Sequence, residues 1–421
     1  MASLLSSVWA CILGNLFLRI GSAAAGTAIS LNLAYMGRTT GGVDATVVGL
    51  ISVAFYLSEL VTAPFFGTLS DRYGRQRFML LGTFLGLIAV LILPWVAAVP
   101  LFIAARSLEG FSSGSSVPAV LGHLAAETGD SPRTRGKVMA IFEVTTILGL
   151  ALGYGVGGFF FDQFHSLAFF LIAGIYGLSF LLFTRVVSSG QDAEATTRHK
   201  ISPEAYGILL RDKPTVGFLP AWIAVNAVLG VWGTHLAFQM ASDKASNQLL
   251  VGGYTGTQIG IASALIGVAL IVGTGLWTVG FGRIRTLSIM VVATFGIIGM
   301  SAVLLALNHS PAEDTARIYG LLGLTAVGML VASGFTPAAL AYLAEQSERF
   351  PEHRGSLMGL YSVLIGGGQL IGSWAGGYFA SAWAVDGLVY LTAILGGLAL
   401  AGLFFVIRTA AHESPSYSQT H

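Results

Sequence analysis

Stretches of about twenty predominantly apolar residues, the length an α-helix needs to cross a hydrocarbon core about 30 Å thick, recur along this chain and leave it few ways to fold. They run near Ser7 to Tyr35, Ala45 to Leu69, Phe78 to Val96, Leu101 to Glu127, Gly136 to Phe161 and Leu167 to Val187. A second set runs near Val216 to Met240, Tyr254 to Val279, Leu287 to Leu307, Ile318 to Ala344, Ser356 to Trp383 and Gly387 to Arg408. Backbone polar groups cannot stay unpaired in lipid, so each run is expected to be a helix. Of the 421 residues, 54% are hydrophobic and 10% charged, whereas soluble domains carry about a quarter charged residues. The excess apolar surface must therefore face lipid. The first run has no Lys or Arg ahead of it and no small-residue cleavage pattern, so it reads as a retained helix.

Charge divides the connecting loops. With both termini on one side, 16 of the 21 Lys and Arg residues fall on that side, among them Arg72, Arg75, Arg77, Arg133, Arg135 and Arg354. The other side holds Arg38, Lys244 and Arg317, while Arg19 and Arg106 lie inside spans. The positive-inside rule then puts both termini in the cytoplasm and supports an even number of spans. Residues 188–215 are polar and separate the runs into six and six. The expected organisation is an N-terminal bundle over 1–187, a cytoplasmic linker over 188–215, a C-terminal bundle over 216–408 and a disordered tail over 409–421. Cys11 is the only cysteine, so no intramolecular disulfide can form.

An internal repeat relates the two groups. A shift of 219 lays Arg135, Gly136, Met139, Gly149, Gly153, Gly157, Gly158 and Phe160 on Arg354, Gly355, Met358, Gly368, Gly372, Gly376, Gly377 and Phe379. The same shift lays Pro118, Ala119, Leu121 and Leu124 on Pro337, Ala338, Leu340 and Leu343. Six helices separate the paired elements, so the two groups share one orientation and form a parallel repeat, an architecture whose binding site is expected between the halves. Gly149, Gly153 and Gly157, four apart, line one helix face where another backbone can come close.

After the second span comes Gly67-Thr-Leu-Ser-Asp71-Arg72-Tyr-Gly74-Arg75-Gln-Arg77. This resembles motif A of the major facilitator superfamily, whose loop latches the halves together on the cytoplasmic side. The resemblance implies a conformational latch made of Gly67, Asp71, Arg72, Gly74 and Arg75, with Asp71 expected to cap the start of the eleventh span near Gly355. The second half keeps Gly-Arg-Ile-Arg but has Val279 in place of the aspartate, so the latch should be asymmetric. Arg106 to Gly114 resembles motif B. The fifth span resembles the antiporter motif C, with Ala140 and Tyr154 in place of its first glycine and its proline. The resemblance implies an all-α integral membrane fold of twelve transmembrane helices in two pseudo-symmetric six-helix bundles, most like the twelve-span drug/proton antiporters.

Ionisable residues at membrane depth usually mark function. Arg19 and Glu59 each sit about 18 Å from the cytoplasmic boundary and can pair across the first two helices, though their stripes read first as cavity lining. Asn15, Arg19, Ser22, Gly26 and Ser30 share one face, as do Ser52, Tyr56 and Glu59. Arg106 and Glu109, three apart, can pair locally. That leaves Glu143 as the unpaired acid and first candidate proton carrier, with Glu59 and Glu109 as the others. Arg19, Glu59 and Arg106 on one wall and Asn226, His235, Gln239 and Gln369 on the other are the candidate solute contacts. His123 and Glu127 have a metal-like spacing but no third ligand, so no metal is expected.

No nucleophile and base stand together, and there is no phosphate loop or nucleic-acid signature, so a membrane-embedded enzyme is the weaker class and no cofactor is expected. The expected function is secondary active transport of a small organic solute by alternating access, with proton-coupled efflux ahead of nutrient symport, uniport and lipid export. The expected partners are the solute, protons and membrane lipid, and the expected state is a monomer in the plasma (inner) membrane.

Overall fold

The computed structural model describes residues 2–128, 132–186, 212–245, 247–281, 283–348 and 354–412. The expected linker lies almost wholly outside the described residues, as does the tail after residue 412. The described chain is helical: α1 Ala2–Thr40, α2 Ala45–Tyr73, α3 Arg75–Ile92, α4 Val99–Glu127, α5 Pro132–Phe164, α6 Ala168–Phe183, α7 Lys213–Ala241, α8 Gly256–Trp277, α9 Thr286–Asn308, α10 Thr315–Ala332, α11 Phe335–Glu348 and α12 Arg354–His412.

Nine stretches of the described residues are long and apolar enough to cross a membrane. Two of these, Lys137–Phe183 and Val363–Thr409, are 47 residues long, about twice the length one crossing needs. Each is broken by a residue in the left-handed region, His165 at φ 49° and Ala384 at φ 50°. Each therefore supplies two spans. The 29-residue α4 is long enough to cross and carries Arg106, Glu109 and several serines within it. The described residues thus contain twelve transmembrane helices.

The tenth span, expected as one helix, is split between α10 and α11 at Ser333 and Gly334. The Trp277 indole Nε1 donates to the carbonyls of Leu330 at 3.0 Å and Val331 at 3.2 Å, groups that the break frees from the helical ladder. A Cβ at Gly334 would stand 2.6 Å from the same ring, so the break and the tryptophan fit only with glycine there.

The chain divides into two compact units. The first holds α1 to α6 with residues 234–244 and 251–268. In it α2 packs on α4, α1 on α5 and α6, and α3 on α4 and α6. The glycine face of α5 meets α1: a Cβ at Gly153 would lie 2.5 Å from the Ile20 carbonyl oxygen, and one at Gly157 2.5 Å from that of Ala24. The second unit holds the start of α7 up to Gly233, residues 245–250 and the chain from Ala269 onward. In it α9 packs on α10, α11 and α12. Here Gly368 and Gly372 repeat the arrangement, with the Gly372 position 1.9 Å from the Ala227 carbonyl oxygen of α7. The repeat read in the sequence is thus a repeated contact, in which the fifth helix of each group lies against the first.

Candidate functional site

Polar side chains of the first unit gather on α1, α2, α4, α5 and α6. Arg106, Glu109 and Ser113 fall on one face of α4, spaced three and four apart. Arg106 bonds Glu109, and their side chains are 11% and 1% exposed. The Arg106 guanidinium lies 4.5 Å from the centre of the Phe55 ring of α2, a cation–π contact that suits a desolvated guanidinium. Tyr56, Tyr154 and Tyr176 lie within electrostatic range of Arg106, and Tyr176 also shares a hydrogen bond with Ser22. A Cβ at Gly110 would stand 2.3 Å from the Phe55 carbonyl oxygen, so the absence of a side chain there brings α2 against α4.

The structure departs from the sequence reading at three of these residues. Glu59 does not pair with Arg19; one of its oxygens accepts a hydrogen bond from Ser113. Arg19 Nε is buried without a hydrogen-bond partner. Glu143 is exposed on α5, whereas Glu109 is 2% exposed and its Oε1 has no partner. Sequence reasoning missed Ser113 as the partner of Glu59 and Tyr176 as a member of the cluster. The spacing of Ser113 from Arg106 on α4 was the available signal; Tyr176 offered none, since tyrosine in an apolar helix is ordinary.

The motif A turn is a local structure. Gly74 joins α2 to α3 at φ 99°, a conformation that favours glycine. Arg75, 7% exposed, bonds Asp71 through Nε at 2.9 Å and Nη2 at 2.8 Å. A Cβ at Gly122 of α4 would touch Arg75 Nε at 2.8 Å, so the arginine lies flat over that glycine. Gln76 Nε2 donates to the carbonyls of Phe183 and Thr184 at 3.1 Å each, tying the turn to the end of α6. Arg72 lies over the Tyr73 ring, and a Cβ at Gly67 would stand 3.4 Å from Pro118. At the other end of the first unit both Asp162 oxygens accept the first amides of α8, Gly256 N and Thr257 N, at 2.6 Å each.

Of the remaining candidates, His235 and Gln239 are buried in the part of α7 that belongs to the first unit, and the Gln239 carbonyl accepts from Gly252 N at 3.0 Å. In the second unit Asn226 is buried and its Nδ2 donates to the Trp222 carbonyl one turn back, at 2.8 Å. Gln369 is half-buried, with its backbone against Gly230. His123 hydrogen-bonds Ser7 at 3.2 Å.

Twelve apolar spans, a repeated helix contact and a charged cluster inside one bundle define a polytopic membrane protein of the kind that carries solutes. The chain belongs to the Major Facilitator Superfamily, whose model matches residues 12–316 and 252–420. It is 25% identical over 337 residues to Multidrug resistance protein 2 of Bacillus subtilis, covering 79% of each chain. It is also 25% identical over 371 residues to the MFS-type transporter MJ1560 of Methanocaldococcus jannaschii, covering 86% of this chain and 89% of that one. Quinolone resistance protein NorA of Staphylococcus aureus matches at 24% over 163 residues, 39% of this chain and 42% of NorA. Among solved structures, the nucleoside transporter NupG superposes with a TM-score of 0.73 at 13% identity over 95% of this chain and 99% of its own. A D-xylose-proton symporter gives 0.69 at 16% identity over 95% and 97%. These two likenesses show the fold.

Proposed function

We propose that this transporter exports a small organic solute by alternating access in exchange for protons, and that Glu109 carries the proton. The carrying observation is a carboxylate 2% exposed, bonded on one side by Arg106 and with its other oxygen sealed and unpartnered. Protonating Glu109 removes the charge that holds Arg106, so proton binding and guanidinium release are one event. The drug-resistance names of two relatives support export as the direction. Arg19, Glu59 and Arg106 are the proposed solute contacts of the first unit, with His235 and Gln239, and Asn226 and Gln369 those of the second. The Asp71–Arg75 turn is proposed to bias the conformational equilibrium; Asp71→Asn should raise cysteine labelling from the cytoplasmic face at unchanged expression. The loop charges support cytoplasmic termini and a place in the cell membrane.

The test is pH-gradient-driven transport in proteoliposomes, using a solute found by thermal-shift screening. Glu109→Gln should bind the solute yet lose gradient-driven accumulation, while Glu143→Gln keeps it. Wild-type coupling in Glu109→Gln would remove Glu109 as the carrier, and accumulation driven in the direction of proton entry would make the protein a symporter.

A further inference from the structure

We propose that Arg19 recognises a negatively charged oxygen group on the transported solute, so that the substrate class is organic acids with a flat aromatic skeleton. This rests on the reading that the polar cluster of the first unit binds the solute.

Four ionisable side chains lie deep in the spans of α1, α2 and α4: Arg19, Glu59, Arg106 and Glu109. Two of them pair, Arg106 with one oxygen of Glu109. Glu59 takes its hydrogen bond from Ser113, a neutral donor. Arg19 has no ion pair among the described residues, and its Nε is sealed without an acceptor. Arg19 stands about 20 Å along the helix from Ser6 and about 30 Å from Thr40, the two ends of its span. Its side chain cannot reach the membrane surface from there, so snorkelling does not relieve the charge. A guanidinium at that depth without a counter-anion is unfavourable, and the described residues supply no acid to it.

The side chain is also held in place. A Cβ at Gly149 of α5 would stand 2.8 Å from Arg19 Cβ, so the base of the arginine is wedged against a neighbouring helix. What remains is a planar fork of N–H donors that matches a carboxylate or phosphate through two parallel bonds. Tyr176 lies within electrostatic range of Arg19, Arg106 and Glu109, and Phe55, Tyr56 and Tyr154 lie beside Arg106 in the same cluster. Rings beside a cation suit a flat aromatic body carrying the acid group.

Thermal unfolding of the purified full chain in detergent tests this with four probes: naphthoate, its methyl ester, naphthyl phosphate and naphthalenesulfonate. On wild-type protein at least one of the acids should raise Tm and the ester should not, and the acid that binds most tightly names the anion. In Arg19→Gln the acid-over-ester affinity ratio should fall by about tenfold or more. Should Arg19→Gln not be recovered folded, Arg19→Lys, which keeps the charge and loses the fork, should lower the ratio by a smaller factor. No acid preference in the wild type, or an unchanged ratio in the Arg19 variants, would overturn the proposal. Loss of pH-gradient coupling with an intact, Arg19-dependent acid preference would reject proton exchange and leave the substrate class standing.

Discussion

Glu109 and Arg106 sit three residues apart on α4, and their pairing is a matter of helix geometry. Truncating one partner strands the other in a dry interior, which is costly because the remaining charge keeps its desolvation penalty and loses its compensation. Glu109→Ala should therefore lower stability by about 3–5 kcal/mol, while the double change Arg106→Leu with Glu109→Leu should recover most of the loss. Thermal unfolding of the three variants in one detergent checks both expectations. This pair was legible in the sequence because its partners share a helix. The partner of Glu59 was not, because Ser113 lies 54 positions away and the choice between it and Arg19 depends on how α2 rotates against α4.

Two kinds of helical glycine occur, and they should respond oppositely to the same change. At Gly153 an added methyl meets the Ile20 carbonyl oxygen at 2.5 Å, whereas at Gly174 on α6 nothing lies within 4 Å. Gly153→Ala must push α5 from α1 and is expected to lower Tm by several degrees, a loss of about 1–3 kcal/mol. Gly174→Ala should raise stability by about 0.5–1 kcal/mol, since alanine surrenders less backbone entropy on folding. Asp162 makes a related claim for α8: Asp162→Ala removes both acceptors from its first turn and should cost about 0.5–2 kcal/mol, as an N-cap loss does. Slower-melting amides at Gly256 and Thr257 in the wild type than in the variant, read by hydrogen exchange, would be the local sign. A glycine stripe announces a close contact in the sequence. Which helix fills it is settled only when α1 and α7 are seen against their own fifth helices.

For the whole chain, sixteen basic residues on one set of loops predict that a reporter fused after residue 412 is active only in a cytoplasmic form. A fluorescent protein and a phosphatase fused there should give signal and no signal respectively, and the reverse would invert the topology. The sequence by itself determined the helical spans, the internal repeat and the family, because lipid imposes a length and an apolar composition on every crossing and leaves the backbone no alternative to the helix. It also determined the turn at Gly74, a local matter of φ. Tertiary structure alone decided which charges meet. Glu143 reads as a buried acid from its place in a span, but burial belongs to a face, and α5 turns that face outward while α4 turns Glu109 in. Helix rotation is set by side-chain packing distributed over the bundle, information that the period of any single helix does not contain.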